Sequence, residues 1–556
     1  MELCYNIISI LAIHFTVINL PKFSKQAKIW TRIGLDGFKL WGQQSASAPE
    51  DVAFAVARFR ERWSVQNYYV YHGGTNFGRT TGGPFITTSY DYDAQLMNMA
   101  DVYTDPSGGC VAFLANIDEE KDKLVVFQNK SYNIPAWSVS ILPDCKNVVF
   151  NTAKVRSQTS VVDMIPENLI ISGSWQIFME KTGVWGEPDF TKNGFVDHIN
   201  TTKDSTDYLW YTTSFFVDES EKFLSDGSHP TLKVESKGHA VHAFLNKKLQ
   251  DFSCFLLFFK NAGPFYEWVG AGLTSVKING LKNGTMDLSS NKWIYKVNWQ
   301  IGLEGEYHRI FNPDSRDDIK WMPSPKLPKD QPLIWYKVNV ETPKGNDPIG
   351  LDMQYMGKGQ AWLNGKAVGR YWPRKSSLHD QCTASCNYRG KFSPDKCRTG
   401  CGGPTQRWYH VPRSWFQPSG NTLVIFEEKG GDPTKITFAR RRMTGVCGYI
   451  SEDYPSKDLE SWDKSKTESD SAMAKVSLNC TDGTVISLIT FASFGNPTGA
   501  CRSYQQGSCH YPHSLSVVEK ACLHASSCTV SLSEDHFGRD LCPGITKTLA
   551  IEANCS

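Results

Sequence analysis

Residues 68–96 read Tyr68-Tyr-Val-Tyr-His-Gly-Gly-Thr-Asn-Phe-Gly-Arg-Thr-Thr-Gly-Gly-Pro-Phe-Ile-Thr-Thr-Ser-Tyr-Asp-Tyr-Asp-Ala-Gln-Leu96. An aromatic, apolar run enters a glycine-rich loop, and the loop leaves through alternating tyrosines and aspartates. Such residues offer a sugar both flat apolar faces and hydrogen-bonding groups. Just upstream, Val52, Ala55, Val56 and Phe59 recur at helical spacing behind Ser47, Pro49, Glu50 and Asp51, a proline-led acidic first turn. The run from Val65 to Tyr71 reads as a buried strand. Helix, strand and a glycine-rich loop at the strand's carboxyl end make the unit of a (β/α)8 TIM barrel, whose active sites sit on those loops.

Working outward, 556 residues exceed what one core can organise and imply several domains. A net charge of +2 with no basic run gives no electrostatic footprint for nucleic acid. Aromatic residues reach 12%, which fits β-domains and sugar-stacking surfaces as well as ordinary cores. Of the 16 cysteines, seven fall between Cys480 and Cys555 and four between Cys382 and Cys401. Clusters of this kind staple small domains in oxidising compartments, and sequons at Asn129, Asn200, Asn283 and Asn479 point the same way, to a secreted glycoprotein. The leader, residues 1–27, is apolar from Leu3 to Leu20 but is broken by Asn6, Ser9, His14, Thr16 and Asn19 and preceded by Glu2. It therefore lacks the basic start of a signal peptide and the unbroken length of a membrane span.

The segments Ala53-Phe-Ala-Val-Ala-Arg-Phe59 and Tyr68–Leu96 resemble the plant β-galactosidases of glycoside hydrolase family thirty-five. The resemblance implies a retaining exo-glycosidase that removes terminal non-reducing β-D-galactose from cell-wall or glycoconjugate carbohydrates. Such an enzyme needs two carboxylates ~5 Å apart, one as nucleophile and one as acid/base. The family's nucleophile follows a Trp-Thr pair, but here Trp30-Thr31 is followed by Arg32, a permanent cation unable to attack a sugar carbon. The Glu-Asn-Glu-Tyr motif that carries the acid/base does not occur in this sequence. By position, Tyr69 and Tyr92 match galactose-contacting tyrosines, with core or loop packing as the alternative. Asp91 and Asp93 fit local turn bonds better than catalysis. A whole barrel takes ~250 residues, so residues 28–100 are expected to be a barrel remnant without catalytic residues.

All-β domains follow. Residues 101–165 alternate short apolar strands with polar turns and read as a small antiparallel β domain, in which Cys110 and Cys145 could pair. An internal repeat comes next: Asp207-Tyr-Leu-Trp-Tyr211 is echoed by Leu333-Ile-Trp-Tyr336, and Ala243-Phe-Leu-Asn246 by Ala361-Trp-Leu-Asn364. Two copies of one strand pattern imply two sandwiches, 166–310 and 311–446, which resemble the family's two jelly rolls. The first is interrupted near 250–262. Within the second, Cys382, Cys386, Cys397 and Cys401 could form a tetrathiolate zinc site or two local disulfides, and the sequons favour the disulfides. No metal or organic cofactor is implied.

After a charged linker, 447–475, residues 476–556 form a small disulfide-rich α/β unit similar to the galactose/rhamnose-binding lectin domain of sea-urchin egg lectin. The likeness rests on Ala492-Ser-Phe-Gly495, Val518-Glu-Lys520, Cys528-Thr-Val530, Phe537-Gly538 and Cys542-Pro-Gly544. It implies bridges Cys480 to Cys555, Cys509 to Cys542 and Cys522 to Cys528. Cys501 is left to seek Cys447 or Cys4, or to remain free. Lys547 and Asp540 are the sugar-binding candidates, with a structural lysine and a loop aspartate as the alternative. The family's Tyr-Gly-Arg stands here as Phe494-Gly495-Asn496, and its amino-terminal acidic contact has no counterpart. The expected ligand is a galactose-containing carbohydrate, bound in the apoplast, cell wall or vacuole.

Overall fold

The computed structural model describes residues 29–30, 40–42, 49–62, 65–66, 74–79, 86–90, 111–154, 157–183, 190–238, 240–250, 270–295, 303–313, 319–378, 382, 389–390, 400–454, 474–481 and 483–556. Among these the architecture is mostly β, and only the helices Pro49–Arg62 and Ser514–Cys522 run beyond two turns.

The amino-terminal region contributes few elements. Strands Ile29–Trp30 and Val65–Gln66 pair in parallel, with helix Pro49–Arg62 between them, and Gly74–Thr75 pairs antiparallel with Ser89–Tyr90. These described elements do not close a barrel. The helix buries Ala53, Phe54 and Ala57, whereas Ala55 and Val56, expected on the buried stripe, are only half covered. The face is set by what it meets. Phe54 stacks on Trp137 at 4.6 Å, and Ala57 packs with Val139 of the small β domain. In that domain Ala112–Asn116, Ser138–Leu142 and Phe150–Asn151 form one sheet, and Lys123–Phe127 with Lys130–Ile134 a hairpin.

The centre of the molecule is a two-sheet sandwich. One sheet runs Met322–Pro323, Gln176–Met179, Ile334–Val340, Asn421–Glu427, Gly359–Leu363, Lys366–Tyr371. The other runs Trp408–Val411, Ile349–Asp352, Thr437–Ser451, Thr548–Cys555, Ile486–Gly495, with Ser157–Glu167 also paired to Thr437–Ser451. Between them lie Ile334, Tyr336, Val338, Ile349, Leu351, Leu363, Leu423, Ile425 and Phe438, all at most 1% exposed. The first sheet is buried on its other side too. There Trp335, Trp362 and Phe426 pack with Tyr208, Trp210 and Phe244 of the preceding sandwich. Strand Ile334–Val340 is accordingly buried on both faces from Ile334 to Tyr336 and alternates beyond, with Lys337 half-buried and Asn339 exposed.

The boundaries expected at 165/166 and 446/447 both fall inside strands, Ser157–Glu167 and Thr437–Ser451. Gln176–Met179, assigned to the first sandwich, pairs with Ile334–Val340 of the second. Bare sheet edges explain these departures, because each edge gains a strand from a neighbouring segment. The 15-residue strand Thr437–Ser451 pairs with Ile349–Asp352 through its first half and with Thr548–Cys555 through its second, so sandwich and lectin-like unit share one sheet. At the changeover, a Cβ on Gly445 would stand 2.4 Å from the Ala553 carbonyl oxygen, so only glycine permits that approach.

The first sandwich gathers Val276, Ile278, Leu288, Trp293 and Tyr295 into a separate core. Its expected interruption near 250–262 lies outside the described residues. The repeated Leu-Asn pair proves to be one hairpin made twice: Phe244–Leu245 with Lys248–Leu249, and Gly359–Leu363 with Lys366–Tyr371. Both central residues have positive φ in each turn, 48° and 67° at Asn246 and Lys247, 51° and 77° at Asn364 and Gly365. That is the two-residue turn whose twist matches paired strands.

Candidate carbohydrate sites

Arg32, Tyr69, Tyr92, Asp91 and Asp93 lie outside the described residues. The described parts of the opening stretch are anchored on the central sandwich. The Gln406 amide donates to Thr88 Oγ1 at 2.9 Å, and its oxygen accepts from Ser89 N at 3.1 Å. Phe77 lies 4.9 Å from Trp415, and the backbone around Asn76 and Gly78 runs close above Gly369, whose φ of 122° suits glycine. Arg79 reaches Asp204 at 2.9 Å and Asp207 at 3.0 Å, while Asp207 also takes two bonds from Arg370 at 2.7 and 2.9 Å. One carboxylate thus joins the loop, the first sandwich and the second.

Behind Asp207 lies a buried polar network. Tyr208 donates to Glu428 at 2.7 Å and accepts from Gln360 at 3.2 Å, and Lys358 pairs with Glu428. Burial, with the nearby carboxylates, holds the Tyr208 hydroxyl well above the ordinary tyrosine range. Two further carboxyls sit nearby in low dielectric. Burial pushes Glu180 up to about 7 even though Glu304 N, Gly305 N and Trp335 Nε1 all donate to it. Burial likewise raises Glu306 to about 7. Their donors and neighbours are backbone, Thr206, Trp335, Arg79 and other carboxylates, the surroundings of a structural joint.

The lectin-like unit brings Lys547 and Asp540 together. Lys547 is 6% exposed, and its ammonium reaches Asp540 at 3.0 Å, Glu452 at 3.3 Å and the Ile545 carbonyl at 3.2 Å. Burial opposes its charge, but the two carboxylates prevail and hold it above the ordinary lysine range. The Cys542 N–H, Lys547 and the Tyr511 hydroxyl hold Asp540 below the usual carboxylate range. Three acceptors occupy the three ammonium protons, so a sugar hydroxyl must replace one of them. Glu452, at the end of the sandwich's long strand, is the residue that sequence reading missed. It also accepts from Lys547 N at 2.8 Å. Lying 95 residues earlier, outside the lectin-like stretch, it carried no local signal.

Phe494 is 5% exposed and packs on Tyr511 and Phe537 at 5.0 and 4.5 Å, which leaves a tyrosine hydroxyl no room at that core position. Asn496 turns inward, accepting from Cys509 N at 2.7 Å. Disulfides join Cys480 to Cys555, Cys509 to Cys542, Cys522 to Cys528 and Cys447 to Cys501. Cys382 is bonded to Cys401, which withdraws both sulfurs from a tetrathiolate zinc site; Cys386 and Cys397 lie outside the described residues. Among the described residues no group of three or more His, Cys, Asp or Glu is placed to hold a metal. Cys145 is disulfide-bonded, and Cys110 is outside the described residues. Asn129, Asn200, Asn283 and Asn479 are all exposed, Asn129 at a hairpin turn with φ 62°.

Family models match in chain order: glycosyl hydrolases family 35 over residues 11–105, the β-sandwich domain of β-galactosidase over 99–155, the β-galactosidase galactose-binding domain over 333–421, and the D-galactoside/L-rhamnose-binding SUEL lectin domain over 478–555. Rice β-galactosidase 3 is 58% identical over 607 aligned positions, covering 96% of this chain and 70% of the relative. Arabidopsis thaliana β-galactosidase 10 is 51% identical over 500 positions, 77% of this chain and 67% of the relative. The chain belongs to the plant β-galactosidases of glycosyl hydrolase family 35. The 607 positions aligned with the rice protein exceed the chain's 556 residues by 51, so at least that many gaps fall within this chain.

Proposed function

We propose that this chain is a galactoside-directed member of a glycosidase family that has lost hydrolysis and retains carbohydrate contact. One observation carries the reading: Arg32 follows Trp30-Thr31, where the family pattern places the nucleophilic glutamate. A guanidinium has no lone pair free to attack an anomeric carbon, and retaining hydrolysis requires a carboxylate there. The Glu-Asn-Glu-Tyr motif is also lacking from these 556 residues. The parallel pair Ile29–Trp30 and Val65–Gln66, joined across helix Pro49–Arg62, supports a barrel origin for residues 28–100. The gaps against the rice relative support internal loss of chain.

The purified chain is expected to show no turnover of an aryl β-galactoside between pH 4 and 8 (roughly the range in which carboxylate pairs work). Hydrolysis with retained configuration would overturn the reading. Carbohydrate contact is tested separately. Retention on a galactose resin that is lost in Lys547→Ala would place a sugar at the Lys547, Asp540 and Glu452 cluster, and retention equal in the variant would make that cluster structural. Tyr69 and Tyr92 remain the proposed galactose contacts of the barrel remnant. Secretion into an oxidising compartment is supported by the disulfides and by the exposed sequon asparagines Asn129, Asn200, Asn283 and Asn479. A fall in mass on enzymatic deglycosylation checks it.

A further inference from the structure

The shared sheet creates a second polar concavity, away from Lys547. It is a groove of about 380 Å³ where the sandwich strands Ser157–Glu167 and Thr437–Ser451 meet the lectin-like strands Ile486–Gly495 and Thr548–Cys555. Neither unit makes it alone: Asp163 and Thr444 come from the sandwich, Thr490, Arg502, Glu552 and Asn554 from the lectin-like unit. Arg502 pairs with Asp163, which also accepts from Thr444. The Cys447–Cys501 disulfide holds the Arg502 loop across the junction. The groove is therefore preorganised by a covalent bridge and by an ion pair between the two units.

Its chemistry is that of a neutral polyol site. Hydroxyl, carboxamide, guanidinium and carboxylate groups alternate around it, so adjacent sugar hydroxyls can each donate to one group and accept from another. Asp163 and Arg502 offset each other, leaving the Glu552 carboxylate as the one net charge among the lining side chains. That charge accepts from neutral hydroxyls and repels a uronate or phosphate. Cys447 and Phe491 each stand opposite Glu552 in the sheet register, and Tyr449 follows two residues after Cys447 on the same face. With Tyr504, which lies 6.1 Å from Tyr449 and 5.9 Å from Phe491, they set half-buried aromatic rings beside the polar wall. A pyranose needs both kinds of surface.

We infer that this interdomain groove binds a neutral oligosaccharide, a glycan subsite distinct from the Lys547 cluster. The choice of probe rests on the galactoside-directed reading above; the cavity does not. The test is calorimetric titration of the full-length chain with a neutral β-galactotetraose and with a tetragalacturonate. The neutral sugar is expected to bind. Glu552→Gln and Asn554→Ala are each expected to weaken binding on the order of tenfold, with unfolding temperature unchanged. Lys547→Ala is expected to leave this binding in place, and the uronate to bind at least about tenfold more weakly than the neutral sugar. Unchanged binding in both groove variants, a uronate bound as tightly as the neutral sugar, no binding of the neutral sugar, or complete loss in Lys547→Ala would each overturn the inference. Hydrolysis of an aryl galactoside would instead refute the loss of catalysis and leave this site standing.

Discussion

Glu427 shows how a single residue fixes a local fold. It is fully buried, and its carboxylate accepts from five donors: Lys358 N, Lys429 N and Gly430 N at one oxygen, Gly357 N and the Tyr371 hydroxyl at the other, all between 2.8 and 3.0 Å. Burial pushes its pKa up while the four backbone N–H groups pull it down. It therefore acts as the common acceptor of two loops that would otherwise bury unpaired N–H groups. Glu427→Ala leaves four backbone N–H groups without a partner in a site that water cannot easily enter, while the Tyr371 hydroxyl keeps the Phe426 carbonyl at 3.0 Å, and a loss of roughly 3–5 kcal/mol is expected. Glu427→Gln keeps one acceptor oxygen but sets an amide NH₂ against backbone N–H groups, and should fall between the two. Urea unfolding curves check both, and a loss under ~1 kcal/mol for Glu427→Ala would show that the loops find other acceptors. Nothing in the sequence marks this glutamate. It ends an apolar strand as an ordinary surface residue might, and its partners lie up to 70 residues away.

At the scale of the element, the two hairpins of the repeat provide a controlled comparison. Both turns need positive φ at each central residue, but one is Asn364-Gly365 and the other Asn246-Lys247. A lysine at φ 67° carries a steric cost that glycine avoids. Lys247→Gly is expected to stabilise the protein by up to ~1 kcal/mol, even after glycine's entropic cost. Gly365→Ala should destabilise by at least ~1 kcal/mol, because its Cβ would also stand 2.9 Å from Pro313 Cδ. Thermal unfolding of the two variants checks the pair, and the opposite order would refute the turn assignment. Here the sequence was legible, since a recurring Leu-Asn pair between apolar runs encodes a turn locally. The cysteine clusters and the antiparallel strands of 111–154 were legible for the same reason. The helix face was not, because Ala55 and Val56 satisfy helical spacing as well as Ala53, Phe54 and Ala57 do; the side chains of Val52 and Phe59 lie outside the described residues. What decided between the stripes was Trp137, 83 residues beyond Phe54 in sequence. Strand exchange across the expected boundaries was hidden likewise, since edge pairing depends on which segments arrive beside a bare edge.

At the scale of the whole molecule, the sandwiches meet through buried acids, and this makes stability depend on pH. Glu180 and Glu306 have folded values of about 7 against the ordinary glutamate value of 4.5, raised in both cases chiefly by burial. Between those values the folded chain holds protons that the unfolded chain releases, so their contribution is complete below about pH 4.5 and is lost as pH rises through about 7. His198, His242 and His410 act in the opposite sense. Burial depresses all three, so unfolding takes up protons below the ordinary histidine value of 6.5 and their contribution falls with acidification. The net slope therefore mixes opposing groups, and a difference between variants separates them. Glu306 faces Thr206, Asp207, Arg79 and Glu180. Glu306→Gln keeps an acceptor for the Thr206 hydroxyl and removes the ionisation. Relative to the parent, the variant should gain stability as pH rises from 5 to 8, by an amount on the order of 3 kcal/mol for the shift of Glu306 itself. Chemical denaturation of both proteins at a series of pH values measures that difference. A constant difference would mean that Glu306 ionises as freely in the folded chain as in the unfolded one, and that the joint between the sandwiches admits water.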